Sequence, residues 1–294
     1  MSTVVIEAKG LGKRYGGSLR EKPLVALQEV SFSVGTGRIV GLMGPNGAGK
    51  TTALKSILGL IPFDGELKVL GLDPRTERDT LMRDVCFIAD VAVLPKWLRV
   101  RQAVEYVAGV HPRFDRRRAE EFLKRTEIRL TSKIGELSKG MITQLHLALI
   151  LAIDARLLVL DEPTLGLDLL YRRDFYDTLL NDYFDKDRTI LVTTHQVEEV
   201  EHLLTDVLFM RHGRLVLDSS VDAIGTRYIR LVTTAEHLSK ARSLGPIYER
   251  EVFGRYGFIF DGQPAEVLAP LGELGTPSLA DLFVACMQQP ETER

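Results

Sequence analysis

The stretch Gly44-Pro45-Asn46-Gly47-Ala48-Gly49-Lys50-Thr51 satisfies the pattern G-x-x-x-x-G-K-[ST] without a mismatch. An apolar run at residues 38–43 precedes it and reads as a buried parallel strand, and residues 52–58 follow as a helix. A strand, a glycine-rich loop and a helix in that order hold the chain to an α/β plan. Glycines let the backbone curl so that successive N–H groups face phosphate oxygens, and the helix N-terminus adds partial positive charge. Lys50 is expected to reach the outer phosphates of a nucleotide. The Thr51 hydroxyl is expected to ligate Mg2+, a hard cation that prefers oxygen. A chance glycine-rich turn does not account for the coincidence of strand, loop, lysine, hydroxyl and helix.

The next strong signal is Leu157-Leu158-Val159-Leu160-Asp161-Glu162-Pro163. Four aliphatic residues ending in two acids describe a central parallel strand that delivers carboxylates at its C-terminal end, where open α/β sheets bind ligands. Adjacent acids repel each other unless a cation is present. A further apolar strand, residues 189–194, ends in His195 at the same sheet edge, where a histidine touches phosphate or serves as a structural hydrogen-bonding group. Tyr15, in a polar stretch beginning at Lys13, is either a packing residue or a flat face for a nucleotide base.

Several other segments organise the chain. Residues 4–8, 30–34, 67–70 and 85–89 read as strands, and residues 73–83 as a polar helix. The loop at residues 90–98 is unusually apolar, with Val91, Val93, Leu94, Trp97 and Leu98; such a loop packs under its neighbours or presents a docking surface. Helical patterns cover 100–110 and 116–125. Ser138 caps a mostly buried helix over 141–153, residues 169–183 form a polar helix, and 207–210 with 214–218 form a closing hairpin at His212-Gly213. From about residue 223 the pattern changes to short strands at 228–234, 247–253 and 257–261 with helices at 236–244 and 278–287, a small α+β appendage without a chemical motif.

Bulk properties set the outer limits. With 294 residues, 45% hydrophobic and 27% charged, the chain can bury one large domain and an appendage. A net charge of −2 offers no global electrostatic reason to bind nucleic acid. Cys86 and Cys286 sit in no metal-ligand or redox spacing and read as reduced core thiols. The N-terminus carries no secretory pattern, so the chain is expected to start in the cytosol. The longest strongly apolar run, 145–153, is interrupted by His146 and is far short of the roughly 20 residues needed to cross a bilayer.

With Leu137-Ser138-Lys139-Gly140-Met141 set between the phosphate loop and the Asp161-Glu162 strand, the chain resembles the ATP-binding cassette (ABC) ATPases, the nucleotide-binding subunits of ABC transporters. The match covers roughly residues 1–222. The resemblance implies a P-loop NTPase with a RecA-like parallel sheet, a small antiparallel sheet and a helical insert at about 72–154. Residues 223–294 remain as the accessory domain. It implies ATP and Mg2+ as ligands, with Tyr15 on adenine and Gly44 to Thr52 around the phosphates. Asp161 would hold the metal through water, Glu162 would polarise the attacking water, and His195 would contact the outer phosphate. Ser138 and Gly140 would complete the site of a second cassette, and Asp168 would communicate between the two sites. The signature departs from the family's Leu-Ser-Gly-Gly-Gln at Lys139 and Met141, and Asp90 stands where the family places a glutamine near the metal. The implied function is the ATP-hydrolysing subunit of an exporter-type transporter. It would act as a homodimer on a separate transmembrane permease, peripheral on the inner face of the membrane, with no nucleic-acid partner. The alternative is a soluble ATP-gated regulatory module with slow hydrolysis.

Overall fold

The computed structural model describes residues 3–16, 23–88, 94–165 and 169–289. At its centre a six-stranded sheet runs in the order β5-β6-β7-β3-β8-β9. These strands are β3 (Ile39–Met43), β5 (Val85–Ile88), β6 (Leu157–Asp161), β7 (Thr189–Thr194), β8 (Asp206–Arg211) and β9 (Arg214–Ser220). The neighbours are parallel except β8 and β9, which form a hairpin. His212 and Gly213 both take positive φ there, 49° and 77°, the conformation of a two-residue turn whose twist matches that of its strands. Every residue of β3, β6 and β7 is buried, as expected for parallel strands covered on both faces.

Alternate side chains divide between two cores. On one side Val40, Leu42, Val159, Leu191 and Leu208 pack against α1 (Lys50–Ile57) and against an antiparallel sheet of β1 (Val4–Tyr15), β2 (Leu24–Gly35) and β4 (Asp64–Val69). On the other, Leu158, Leu160, Ile190, Val192 and Phe209 pack against α5 (Lys139–Leu151), α6 (Leu169–Thr178) and α7 (Val197–Val200). A third cluster joins α3 (Val100–Val110), α4 (Arg116–Leu123) and α5. β5 lies inside the stretch 72–154 and pairs with β6 of the central sheet, between the short helix at Arg78–Leu81 and α3.

After α8 (Val221–Arg227) a separate four-stranded sheet forms, in the order β11-β12-β10-β13. Its strands are β10 (Tyr228–Thr233), β11 (Tyr248–Val252), β12 (Arg255–Asp261) and β13 (Glu273–Gly275). It has its own core, which includes Leu231, Phe258 and Phe260. Helices α9 (Leu238–Ser243) and α10 (Ala265–Leu268) connect its strands, and α11 (Leu279–Gln288) packs back on the central sheet, with Phe283 edge-on to Phe209 at 5.2 Å.

Local chemistry moved some boundaries. Residues 73–83 form only the short helix α2 (Arg78–Leu81). Asp73 accepts the Arg75 N–H at 2.9 Å, its own N–H donates to Glu77, and Pro74 lies between, so side chains hold a turn where a helix would begin. Tyr15 ends β1 instead of sitting in a loop. The segment 169–183 is less polar than its sequence suggests: Phe175, Tyr176, Leu179 and Tyr183 are buried, and Leu179–Tyr183 closes it as a π turn. In the apolar loop, Leu94 and Leu98 pack on the insert core while Trp97 is 73% exposed; residues 90–93 lie outside the described residues.

Candidate active site

The loop between β3 and α1 is shaped by its glycines. Gly49 has φ 106°, where an L side chain is strained, and a Cβ on it would lie 2.5 Å from the Ala26 carbonyl. A Cβ on Gly44 would lie 2.5 Å from the Met210 carbonyl. The loop is thereby wedged between β2 and the end of β8, and Gly213 N–H donates to Ala48 O at 3.0 Å. Residues 46–52 line an open cleft of about 600 Å³, shared with Tyr15, Val25, Ala26, Glu162, Leu165 and His195. Pro45 lies beside them at the loop's start, its carbonyl accepting from Ala48 N–H at 3.1 Å.

Lys50 is buried at the first turn of α1, and its Nζ donates to the Gly44 carbonyl at 2.7 Å. Burial holds the ammonium below the usual lysine range, opposed by the nearby carboxylates of Glu162 and Asp161. Glu162 Oε1 lies 3.8 Å away. Glu162 adopts φ 47°, the left-handed region that a glutamate rarely takes. It is held there because its N–H donates to Thr193 O at 3.1 Å and Thr193 Oγ1 at 3.2 Å. Such strain at a chain position with a reactive side chain points to function. His195 Nδ1 is 3.0 Å from both Glu162 carboxylate oxygens; a carboxylate only accepts, so Nδ1 carries the proton and Nε2 remains as the second ring nitrogen.

Asp161 is buried at the end of β6, and Oδ1 accepts the Thr193 hydroxyl at 2.6 Å. It stands behind the cleft wall instead of lining it. Thr51 and Thr52, each with a hydroxyl, line the cleft. A hydroxyl and a carboxylate are the hard oxygen donors that suit Mg2+. Among the described residues, no group of three or more His, Cys, Asp or Glu side chains forms a metal cage. Tyr15 faces the cleft with Lys13 Nζ 5.1 Å from its ring centroid.

Ser138 and Gly140 are not part of this cleft. Ser138 caps α5, with Oγ accepting the Met141 N–H at 3.2 Å, and it is exposed. Gly140 is buried under the Tyr171 ring, and a Cβ there would fall inside that ring. Asp90 and Asp168 lie outside the described residues. Sequence reasoning missed Thr193, which ties Asp161 to the backbone of Glu162; two threonines closing a buried strand that runs Ile190-Leu191-Val192 before them were the available signal. It also missed Arg172, whose guanidinium pairs with Glu199 and donates to Gln196 Oε1 at 3.0 Å, anchoring the residues after His195 to α6.

The family model for the ABC transporter matches residues 27–165. The chain is 32% identical over 311 residues to the Nod factor export ATP-binding protein I of Rhizobium sp. (strain N33), covering 97% of each. It is 30% identical over 228 residues to the ABC transporter ATP-binding protein YtrB of Bacillus subtilis (strain 168), covering 77% of this chain and 76% of that relative. Among solved structures, the ATP-binding subunit of an ABC transporter superposes with a TM-score of 0.65 at 28% identity, covering 76% of this chain and 92% of that one. Similarity over nearly the whole chain, on a fold that brings the phosphate loop to Glu162 and His195, establishes that the chain belongs to the ATP-binding subunits of ABC transporters.

Proposed function

We infer that this subunit hydrolyses Mg-ATP at the cleft of residues 44–52 and drives a separate permease in export. The observation that carries the reading is Glu162, held in a strained backbone 3.0 Å from His195 and 3.8 Å from Lys50 at the mouth of the phosphate loop. Phosphoryl transfer needs positioning and charge stabilisation more than covalent help. Lys50 would exchange its carbonyl partners for the outer phosphates. Glu162 would accept a hydrogen bond from the attacking water, and the proton on His195 Nδ1 would orient both side chains while Nε2 meets the terminal phosphate. Thr51 and Asp161 would hold Mg2+, which supplies positive charge to the phosphate oxygens when bound. Tyr15 would stack on the base.

The half-site geometry supports a second cassette. Ser138 and Gly140, at the N-terminus of a 13-residue helix, are kept out of their own cleft. Their dipole and hydroxyl would meet the terminal phosphate bound by a second copy, and Asp168 would communicate between the two sites. Among the described residues no helix is long and apolar enough to cross a membrane. The exposed Trp97, Tyr106 and Val110 of the insert suit contact with a membrane partner, with Asp90 nearby in sequence. We place the subunit at the inner membrane face through that partner. Export is favoured by the name of the Rhizobium relative, similar over 97% of this chain. We divide the chain at residue 222, in the first turn of α8 and shortly before the four-stranded sheet begins at Tyr228, with residues 1–222 carrying the ATPase.

The test is Glu162→Gln. Phosphate release is expected to fall by about 100-fold or more with ATP binding retained, since a positioned general base contributes 10²–10⁴-fold. A rate within a few-fold of the parent protein would refute Glu162 as the water-polarising group.

A further inference from the structure

The C-terminal sheet contains a hollow that the ATPase reading does not use. On one face of β10, β11 and β12, successive cross-strand rows are Arg230–Ile259–Tyr248 and Val232–Gly257–Arg250, closed by Val252 opposite Arg255. Gly257 occupies the centre of the middle row. A glycine inside a strand packs nothing, and it marks a close approach by a ligand or another backbone. A Cβ built there meets only the Arg250 carbonyl at 3.8 Å, so no neighbour demands the glycine. The result is an open hollow of about 380 Å³, within the range of small-molecule sites, floored by Gly257 and bordered by half-buried Val232 and the exposed Val252 and Phe253. Arg230, Arg250 and Arg255 stand around it against one acid, Asp281, on the first turn of α11. Among the described residues, only Arg250 of these three makes an ion pair, at 3.9 Å to Asp281.

We propose that this hollow binds a free amphipathic organic anion, its carboxylate over Gly257 between the rows that carry Arg230 and Arg255 and its aliphatic stem along Val232, Val252 and Phe253, and that occupancy adjusts ATP turnover through α11. Apolar walls with an excess of guanidinium groups fit that chemistry and reject an amphipathic cation. The link to turnover is geometric. Asp281 borders the cavity, the Leu279 N–H at the start of the same helix donates to Glu201 Oε2 at 3.2 Å, and Glu201 follows directly on α7, the helix after His195. At the other end Arg211 donates to the carbonyls of Met287 at 2.9 Å and Gln289 at 2.6 Å, so α11 is held at both ends.

The turnover half rests on the ATPase reading above, so the experiment separates the two. Decanoate is titrated into the full chain by calorimetry, with 1-decanol and decylammonium as controls. Saturable binding is expected for decanoate alone. It should weaken at least tenfold in Gly257→Val, which fills the hollow with a strand-favouring residue, and in Arg230→Ala/Arg255→Ala. Glu162→Gln should bind decanoate as the parent does. Decanoate should change phosphate release at least twofold in the parent, and Glu201→Ala should keep the binding and lose that change. Equal binding of decylammonium, unchanged binding in Gly257→Val, or preference for anionic vesicles over free decanoate overturns the site. Binding with an unchanged rate in an active protein overturns the coupling.

Discussion

One threonine organises the acid end of the candidate site. The Thr193 hydroxyl donates to Asp161 at 2.6 Å, and its two oxygens accept the strained N–H of Glu162. Thr193→Val preserves shape and removes the hydroxyl. It is expected to cost about 1–3 kcal/mol, the penalty for a buried acceptor left without its donor, and to weaken Mg2+-dependent ATP binding. Thermal unfolding and nucleotide titration with and without Mg2+ would check both. Two other residues are silent for a physical reason. Burial pushes the Cys86 thiol up to about 12 and Cys286 up to about 11. The thiolate is the reactive form and its fraction falls as pKa rises, so iodoacetamide at pH 8 should label neither residue in the native protein and both after urea unfolding. Rapid labelling of the native chain would contradict the burial.

Between elements, the contact of α6 with α5 bears most on coupling. Gly140 accepts the Tyr171 ring where a side chain would stand, and the next residue, Arg172, binds the Glu199 and Gln196 side chains beyond His195. One turn of α6 therefore touches both α5, at Gly140, and the segment that follows His195. Gly140→Ala must displace the ring and is expected to lower stability by about 1–3 kcal/mol, the usual cost of overpacking. Tyr171→Ala in the same chain should recover most of that loss. Thermal unfolding reads the effect without requiring a second subunit. If Tyr171→Ala restores nothing, the ring is not what Gly140 accommodates.

Across the whole molecule, the C-terminal sheet is joined to the ATPase body by a continuous apolar core. Ile224, Tyr228, Ile259, Leu279 and Leu282 share one cluster with Val207, Phe209 and Leu217. Removing residues 223–294 would bare that face. The shortened chain is expected to lose at least about 5 °C in Tm and to bind hydrophobic dyes, as exposed apolar patches do. An unchanged melting curve would show that the appendage folds and acts apart from the body.

The sequence alone determined the parts whose chemistry is local. The glycines, lysine and threonine of 44–51, the aliphatic run into Asp161-Glu162 and the cap at Ser138 each follow from spacing within one short segment, as do the buried parallel strands around them. Tertiary structure decided what depends on residues far apart in the chain. It set Thr193 against Asp161 and His195 against Glu162, laid Tyr171 on Gly140, placed Tyr15 at a strand end facing the cleft, and made a hollow at Gly257 from three strands. The reason is physical. Periodicity and capping report which side of an element meets apolar surroundings, whereas hydrogen-bond partners and cavities arise only when strand order and register bring separate segments within a few ångströms.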